Sequence, residues 1–355
     1  VGAFSVFVPA CGRLLPDHQQ KLEKEQHMLN TVTVGTAKAE CGQKAQGVIE
    51  VAPLASGEMV TLPVHIINGA KDGPRLWVNA ALHGNEFNGV ISALQLVEQI
   101  DPAELSGVLI VTPIANPLAF FAKQRFSPHD GGNLGESYPG RPVGPITKQI
   151  AYHHFEEIKK NADCLIDLHA SGVTNCSKSY SVLKLAGHAK TEKRALDLLM
   201  TTGIHLNCTV DTLGKNDEPV PLTGSLDLEC MALGIPSFML ELGHANRVED
   251  QIVKDGLDGM KNAMRFLGMI AGEVSIYPEQ VVTKERFIVR CTKSGLAVQA
   301  CRPHDHVKAG AVVTRIYDSF GALIEEVRAV KDMHIISLKE DCVTVSGERV
   351  VFGAA

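Results

Sequence analysis

Several of the patterns that declare a function outright are missing. The nine cysteines are odd in number and include no Cys-x-x-Cys pair, so neither a disulfide framework nor a cysteine-ligated zinc site is expected. Reduced thiols are the simpler reading, and with them a cytoplasmic location. No apolar run approaches the ~20 residues that cross a bilayer. Net charge is −6, and no basic stripe interleaves with aromatics, which argues against nucleic acid. Repeats at solenoid periods are absent as well. The expected partner is therefore a small-molecule substrate, with neither nucleic acid nor membrane, and a homo-oligomer is left open.

What is present fits a soluble globular chain. Of 355 residues, 45% are hydrophobic and 21% charged, enough for a sizeable core and for more than one domain. The opening stretch is apolar without a basic n-region and turns polar just before Met28. Residues 1–27 read as a leader segment, with Met28 as the natural start.

From about residue 58 the chain alternates between strand and helix signals. MVTLPVHIIN (59–68) and RLWVNAAL (75–82) read as strands, and FNGVISALQLVEQI (87–100) has helical spacing up to Asp101-Pro102. A strand at 107–114 runs into a long Gly/Pro/Ser/Asn-rich loop (118–144), a length that is usually functional. Helix 145–160, strand 162–170, helix 189–201, strand 204–210, helix 224–233, strand 235–241 and helix 249–271 complete the series. This is an α/β pattern, a mostly parallel sheet with helices on both faces. After about residue 275 only short strands and turns follow, which predicts a small all-β domain over 276–355 beside a catalytic domain over 28–275.

In open α/β sheets ligands bind beyond the carboxyl ends of the strands. His83, His169 and Glu241 each close a predicted strand, and Glu86 follows His83 by three residues. Two imidazoles and a carboxylate would hold one zinc and leave a coordination position for water, with a residual charge of about +1. Glu241 is then placed to take the water's proton, and Asp167, on the same strand face as His169, to orient that ligand. The spacing matches neither His-Glu-x-x-His nor His-x-x-Glu-His.

Taken in order, Leu82-His83-Gly84-Asn85-Glu86, Asn116-Pro117, Tyr138-Pro139-Gly140, Asp167-Leu168-His169 and Leu240-Glu241-Leu242-Gly243 resemble the succinylglutamate desuccinylase/aspartoacylase family. The resemblance covers about residues 55 to 350. It implies a zinc deacylase with a metallocarboxypeptidase-like fold and one Zn²⁺ per chain on His83, Glu86 and His169, with Glu241 activating the water. It also implies that Arg125 faces the scissile carbonyl, where a cation stabilises the oxyanion. The β-rich end resembles the C-terminal barrel of longer bacterial members, with hairpins similar to biotinyl/lipoyl-type barrels but no modified-lysine signature.

One departure stands out. The family carries Asn-Arg before the Tyr/Phe-Pro-Gly turn, and that arginine grips a substrate carboxylate; here Gly135 and Glu136 occupy those positions. With the charge inverted, acidic N-acyl amino acids become poor candidates. Glu136, Tyr138, Arg141 and His244 form the expected substrate-binding set, while Lys215, Asn216, Asp217 and Glu218 read as a polar covering loop. His153, His154, His188 and His205 read as structural. The function expected is zinc-dependent hydrolysis of an amide in a small N-acyl amine or amino-acid derivative. A metallocarboxypeptidase or esterase on the same scaffold, and a non-catalytic metal-binding protein, are the alternatives.

Overall fold

The computed structural model describes residues 31–212 and 223–355. The leader reading of 1–27 and the covering-loop reading of 215–218 lie outside those residues. A short hairpin, β1 (Val32–Val34) and β2 (Ala37–Ala39), precedes the long antiparallel pair β3 (Gln43–Pro53) and β4 (Met59–Asn68). There follow β5 (Lys71–Ala80), α1 (Asn88–Gln99), β6 (Ser106–Thr112), α2 (Pro117–Ala122), α3 (Ile146–Asn161) and β7 (Cys164–Ser171). Then come β8 (Asn175–Ser177), β9 (Tyr180–Leu185), α4 (Ala189–Met200), β10 (Leu206–Asp211), α5 (Leu226–Ala232), β11 (Ser237–His244) and α6 (Asp250–Phe266). With β12 (Val281–Thr283), the main strands form one nine-stranded sheet in the order β12-β10-β9-β11-β7-β5-β6-β4-β3.

The sheet is mixed. The pairs β12–β10, β10–β9, β11–β7, β7–β5 and β5–β6 are parallel, whereas β9–β11, β6–β4 and β4–β3 are antiparallel. The strict period of two sorts each central strand onto two cores. On β5, Leu76, Val78 and Ala80 meet α1, α4 and α6, while Trp77 faces α3 and the β1–β2 hairpin. On β7, Cys164, Ile166 and Leu168 take the first side and Leu165 the second. Asp167 and His169 continue the second side, where the core gives way to the site. Helices on both faces force the central strands to be apolar in both directions, as the near-continuous runs of β5, β7 and β11 show.

The helical and strand expectations hold for the long periodic segments, including those at 59–68, 145–160 and 249–271. The β1–β3 strands and β8–β9 were not anticipated. Their segments are short or mixed in polarity, and they are strands because neighbours complete their hydrogen bonding.

The C-terminal part is all β: β13 (Arg286–Arg290), β14 (Gly295–Gln299), β15 (His306–Val307), β16 (Val312–Tyr317), β17 (Leu323–Arg328), β18 (Met333–Lys339), β19 (Val343–Thr344) and β20 (Arg349–Ala354). It forms two sheets, β13-β20-β18-β15 and β17-β16-β14-β19. It is not a loose appendage. Strand β8 pairs with β18, Ser177 opposite Ser337. Tyr180, Val182, Cys208 and Val210 of the main sheet pack with Ile336, Phe352 and Ala354. Among the described residues, no helix is long and apolar enough to cross a membrane.

This packing makes a prediction about a fragment ending after Thr283. It should lose cooperative folding or solubility, because the apolar face of β9 and β10 would be stripped to water. A soluble, monomeric fragment with a sharp thermal transition and native-like circular dichroism would show that face to be dispensable.

Candidate active site

β5 ends at Ala80, and Ala81 turns the chain with φ 51°, a left-handed conformation that costs an alanine roughly 1–2 kcal/mol. The N–H groups of Ala115 and Asn116 hold the bend by donating to the carbonyls of Ala80 and Ala81, both at 3.0 Å. His83 is thereby thrown off the sheet edge, and the Glu86 N–H donates back to the His83 carbonyl at 3.3 Å. A Cβ on Gly84 would lie 1.9 Å from the backbone of Ala119, so only glycine fits between the two ligands. The His-x-x-Glu spacing is thus a turn, and α1 begins just after it.

β7 brings the third ligand. It runs parallel to β11, with His169 opposite Glu241, so the two strand ends deliver an imidazole and a carboxylate to one rim. His83 Nδ1 lies 2.8 Å from Glu86 Oε1, His169 Nδ1 3.0 Å from Glu86 Oε2, and the two Nδ1 atoms are 3.3 Å apart. One ligand atom from each of His83, Glu86 and His169 falls within 4.8 Å of the others, and all three residues are buried. Glu86 is further fixed by the Ala170 N–H, which donates to Oε2 at 3.1 Å, and by Arg125 Nη1, which donates to Oε1 at 3.3 Å.

The outer hydrogen bonds choose the tautomers. His83 Nε2–H donates to Asn133 Oδ1 (3.1 Å), an oxygen that also accepts from the Gly135 N–H (3.1 Å). His169 Nε2–H donates to Asp167 Oδ2 (3.1 Å), and Asn79 Nδ2 donates to Asp167 Oδ1 (2.7 Å). Each ring's Nδ1 is therefore turned to the centre beside a carboxylate, a donor set that demands positive charge. His169 answers in part. Burial works against its protonation, but Asp167 and Glu86 outweigh burial and push its pKa well above the ordinary value. Burial likewise pushes the Glu86 carboxyl up, yet His83 and His169 carry it below the usual carboxylate range. His83 is held low by burial first. A single divalent ion satisfies all three inward atoms at once, so these residues fit a metal of the zinc type.

Glu241 stands beside this cluster with a buried Oε2 that has no hydrogen-bond partner among the described residues. Burial raises its pKa; the charge of Glu86 adds to the rise, and His169 and Arg125 oppose it. The cluster opens into a cavity of about 430 Å³, whose lining includes Arg125, Asn133, Glu136, Tyr180, Lys184 and Glu241. That size suits a small molecule.

A family model, the succinylglutamate desuccinylase/aspartoacylase catalytic domain, matches residues 72–267. The chain belongs to this family. It is 25% identical over 282 residues to the N-alpha-acetyl-L-2,4-diaminobutyric acid deacetylase of Halomonas elongata, covering 77% of this chain and 79% of that one. Solved structures share its fold. The product-bound ectoine utilization protein EutE (DoeB) from Ruegeria pomeroyi superposes with a TM-score of 0.77 at 22% identity, covering 88% of this chain and 95% of that one. A succinylglutamate desuccinylase from Silicibacter sp. TM1040 gives 0.78 at 20% identity, covering 91% of this chain and all (100%) of that one.

Within this family frame the structure gathers His83, His169, Asp167, Arg125, Glu241 and Glu136 at one cavity, with Glu86 against the two imidazoles. Three residues expected at the substrate lie elsewhere. Tyr138 points into the core, where its hydroxyl donates to His154 Nδ1 at 2.9 Å; burial pushes His154 down to about 3, so the ring accepts as a neutral group. Arg141 is exposed and folds back over Gly144. His244 is a fastener: the Ser177 N–H donates to its Nε2 (3.0 Å) and its Nδ1–H donates to Glu249 (3.0 Å).

Other residues came to the site without being singled out. Asn79 had a signal, since it interrupts the apolar run Leu76-Trp77-Val78 and Ala80-Ala81-Leu82, whereas Lys184 lies on β9, a strand that was not expected. Asn133 lies in the long 118–144 loop, with no role expected for it. A Cβ on Gly135 would sit 3.0 Å from His83 Nε2; with glycine at that family position, it is Asn133 that bonds the ring. Arg286, Arg349 and Phe352 had no local signal, because only the docking of the β domain brings them to the cavity wall.

Asp167→Asn tests the outer support. Loss of the carboxylate behind His169 should lower zinc affinity by about 10- to 100-fold, read by chelator competition, with circular dichroism unchanged. Undiminished affinity would mean that this bond does not set the ligand's basicity.

Proposed function

We propose that the chain is a zinc-dependent deacylase that hydrolyses the amide of a small N-acyl amino-acid derivative bearing a neutral or cationic group near Glu136. The carrying observation is the inward-facing set of two Nδ1 atoms and one carboxylate, beside a glutamate whose Oε2 is buried and unpartnered. A zinc ion held by His83, Glu86 and His169 would supply Lewis acidity, lowering the pKa of water and polarising the acyl carbonyl.

The protein's own groups do the remainder. Glu241 accepts the proton of the attacking water and returns it to the leaving nitrogen, since the same carboxylate serves as base and then as acid. Its ionisation is disfavoured by burial, which makes it a stronger base than an exposed carboxylate. Arg125 donates to the oxygen on which negative charge grows; its guanidinium already reaches the cluster at 3.3 Å from Glu86. Asp167 and Asn133 hold the imidazoles in their tautomers, so no reorganisation is needed as charge develops.

Glu136 sets the sign of the substrate's distal group. Asn133 Nδ2 donates to its Oε1 at 2.7 Å, which steers the carboxylate along the cavity wall. The relative in Halomonas elongata is named for a substrate with a free amine, consistent with an ammonium there. A dianion such as an N-acylaspartate would meet like charge at Glu136, which is exposed at the cavity edge.

Zinc should bind at one ion per chain and be lost in His83→Ala or His169→Ala, measured by elemental analysis after dialysis. Glu241→Gln should retain the metal and the fold while kcat falls by roughly 10²-fold or more. Near-normal turnover with full metal would assign the base elsewhere. Glu136→Gln should narrow the preference for amine-bearing over acidic N-acyl substrates in kcat/KM, and an unchanged ranking would remove Glu136 from specificity.

A further inference from the structure

The relative's substrate is an amino acid, and an amino acid carries a carboxylate. The family position that grips one is glutamate here, and Arg141, the nearest alternative in sequence, folds away over Gly144. The lysines and arginines lining the cavity among the described residues are Arg125, Lys184, Arg286 and Arg349. Two of them already face carboxylates. Arg125 sits 3.3 Å from Glu86 at the metal cluster, and the buried Lys184 ammonium is 2.7 Å from Asp227 and 3.0 Å from the Ser225 hydroxyl.

Arg349 is different. Its guanidinium donates to Asn175 Oδ1, a neutral acceptor, and no carboxylate among the described residues lies within ion-pair distance. It is partly desolvated, and burial first, then the nearby Arg290 charge, lowers its pKa from the usual arginine value. Arg349 Cζ lies 5.5 Å from the centre of the Phe352 ring, and Arg286 Cζ lies 5.6 Å from the same ring. An aromatic face holds a guanidinium in a fixed plane while leaving its N–H fork available.

The position is tied to the chemistry through the sheet. Glu241 is cross-strand partner to Tyr180, Tyr180 packs in one apolar cluster with Phe352, and Phe352 carries the arginine. From Glu241 to the guanidinium the route is thus three steps long, through Tyr180 and Phe352, all on the cavity wall.

We propose that Arg349, presented by Phe352 on β20, is the substrate-carboxylate subsite, standing in for the arginine that Glu136 replaces. The substrate class is then an N-acylated diamino acid, with its carboxylate on the β domain and its ammonium toward Glu136. This rests on the deacylase reading of the same cavity, but binding can test it without turnover. A planar fork opposite a carboxylate gives two parallel, charge-assisted hydrogen bonds, whereas a carboxamide supplies neither the charge nor the second acceptor.

The experiment is calorimetric titration of the zinc-loaded protein with 2,4-diaminobutyric acid and with its α-carboxamide, in parallel with kcat/KM for their N-α-acetyl forms. The wild type should bind the acid at least about 10-fold more tightly than the carboxamide. In Arg349→Gln that ratio should fall to within about 2-fold. Arg349→Lys, which keeps the charge without the fork, should retain an intermediate ratio and serves if the glutamine variant does not fold. Equal binding of the two probes by the wild type, or an unaltered ratio in Arg349→Gln, would overturn the subsite. Discrimination in binding without turnover of either acetylated probe would sink the deacylase reading and leave the subsite standing. Turnover without discrimination would do the reverse.

Discussion

Two imidazole protons are directed outward, and the rest of the site depends on that. His83 gives its Nε2–H to Asn133 and His169 gives its own to Asp167. With those protons committed, the inward atoms are electron-rich and crowd within a few ångströms of a carboxylate. Such an arrangement is self-repelling unless positive charge enters. The strongly raised proton affinity of His169 expresses the same demand. The demand for positive charge is therefore written not only in the three inward-facing residues but also in Asn79, Asp167 and Asn133 behind them. The sheet makes this affordable: β5 and β7 are adjacent and parallel, with Asn79 opposite Asp167, so the buried carboxylate is satisfied by a neighbour in register rather than by chance.

The second organising fact is that the cavity has two owners. The α/β sheet contributes the His83/Glu86/His169 cluster, Glu241 and Arg125, from strand ends and the loops that follow them. The β part contributes Arg286, Arg349, Phe352 and Ser337. The seam between them is built from main-chain pairing (β8 with β18) and an apolar cluster around Tyr180 and Phe352. A rigid seam matters because a positively charged wall can select substrates only if its distance from the reacting centre is fixed.

His83, Glu86, His169 and Glu241 were legible in the sequence because parallel strands place ionisable residues at their carboxyl ends, and an apolar run that stops on such a residue is visible without coordinates. The central helices and strands were legible for the same reason, as periodicity survives wherever both faces are buried. Tyr138 was misplaced because a motif fixes a backbone turn and says nothing of which way the ring goes; the ring went to His154 and Phe155. His244 was misplaced because glycine at 243, with φ 64°, redirects the chain just past Glu241 and turns the imidazole to β8. Arg349 was illegible, lying 108 residues beyond Glu241 in sequence (349 less 241) and sharing its cavity only through tertiary packing.

Asn133 joins these threads. Its Oδ1 accepts from His83 and from the Gly135 amide, and its Nδ2 donates to Glu136. One side chain thus holds both the His83 ring and the Glu136 carboxylate. A cation drawn to Glu136 leaves the amide's geometry intact, since Oε2 remains free to receive it while Oε1 keeps its bond to Nδ2. An arginine at 136 would have no acceptor to offer Nδ2, and Asn133 would lose one of the bonds that orient its Oδ1 toward His83. The inverted charge at 136 is therefore compatible with the His83–Asn133 bond in a way that an arginine, placed on this backbone, would not be. The orientation of the His83 ring and the charge at 136 share one residue, and the second is constrained by the hydrogen-bond polarity of the first.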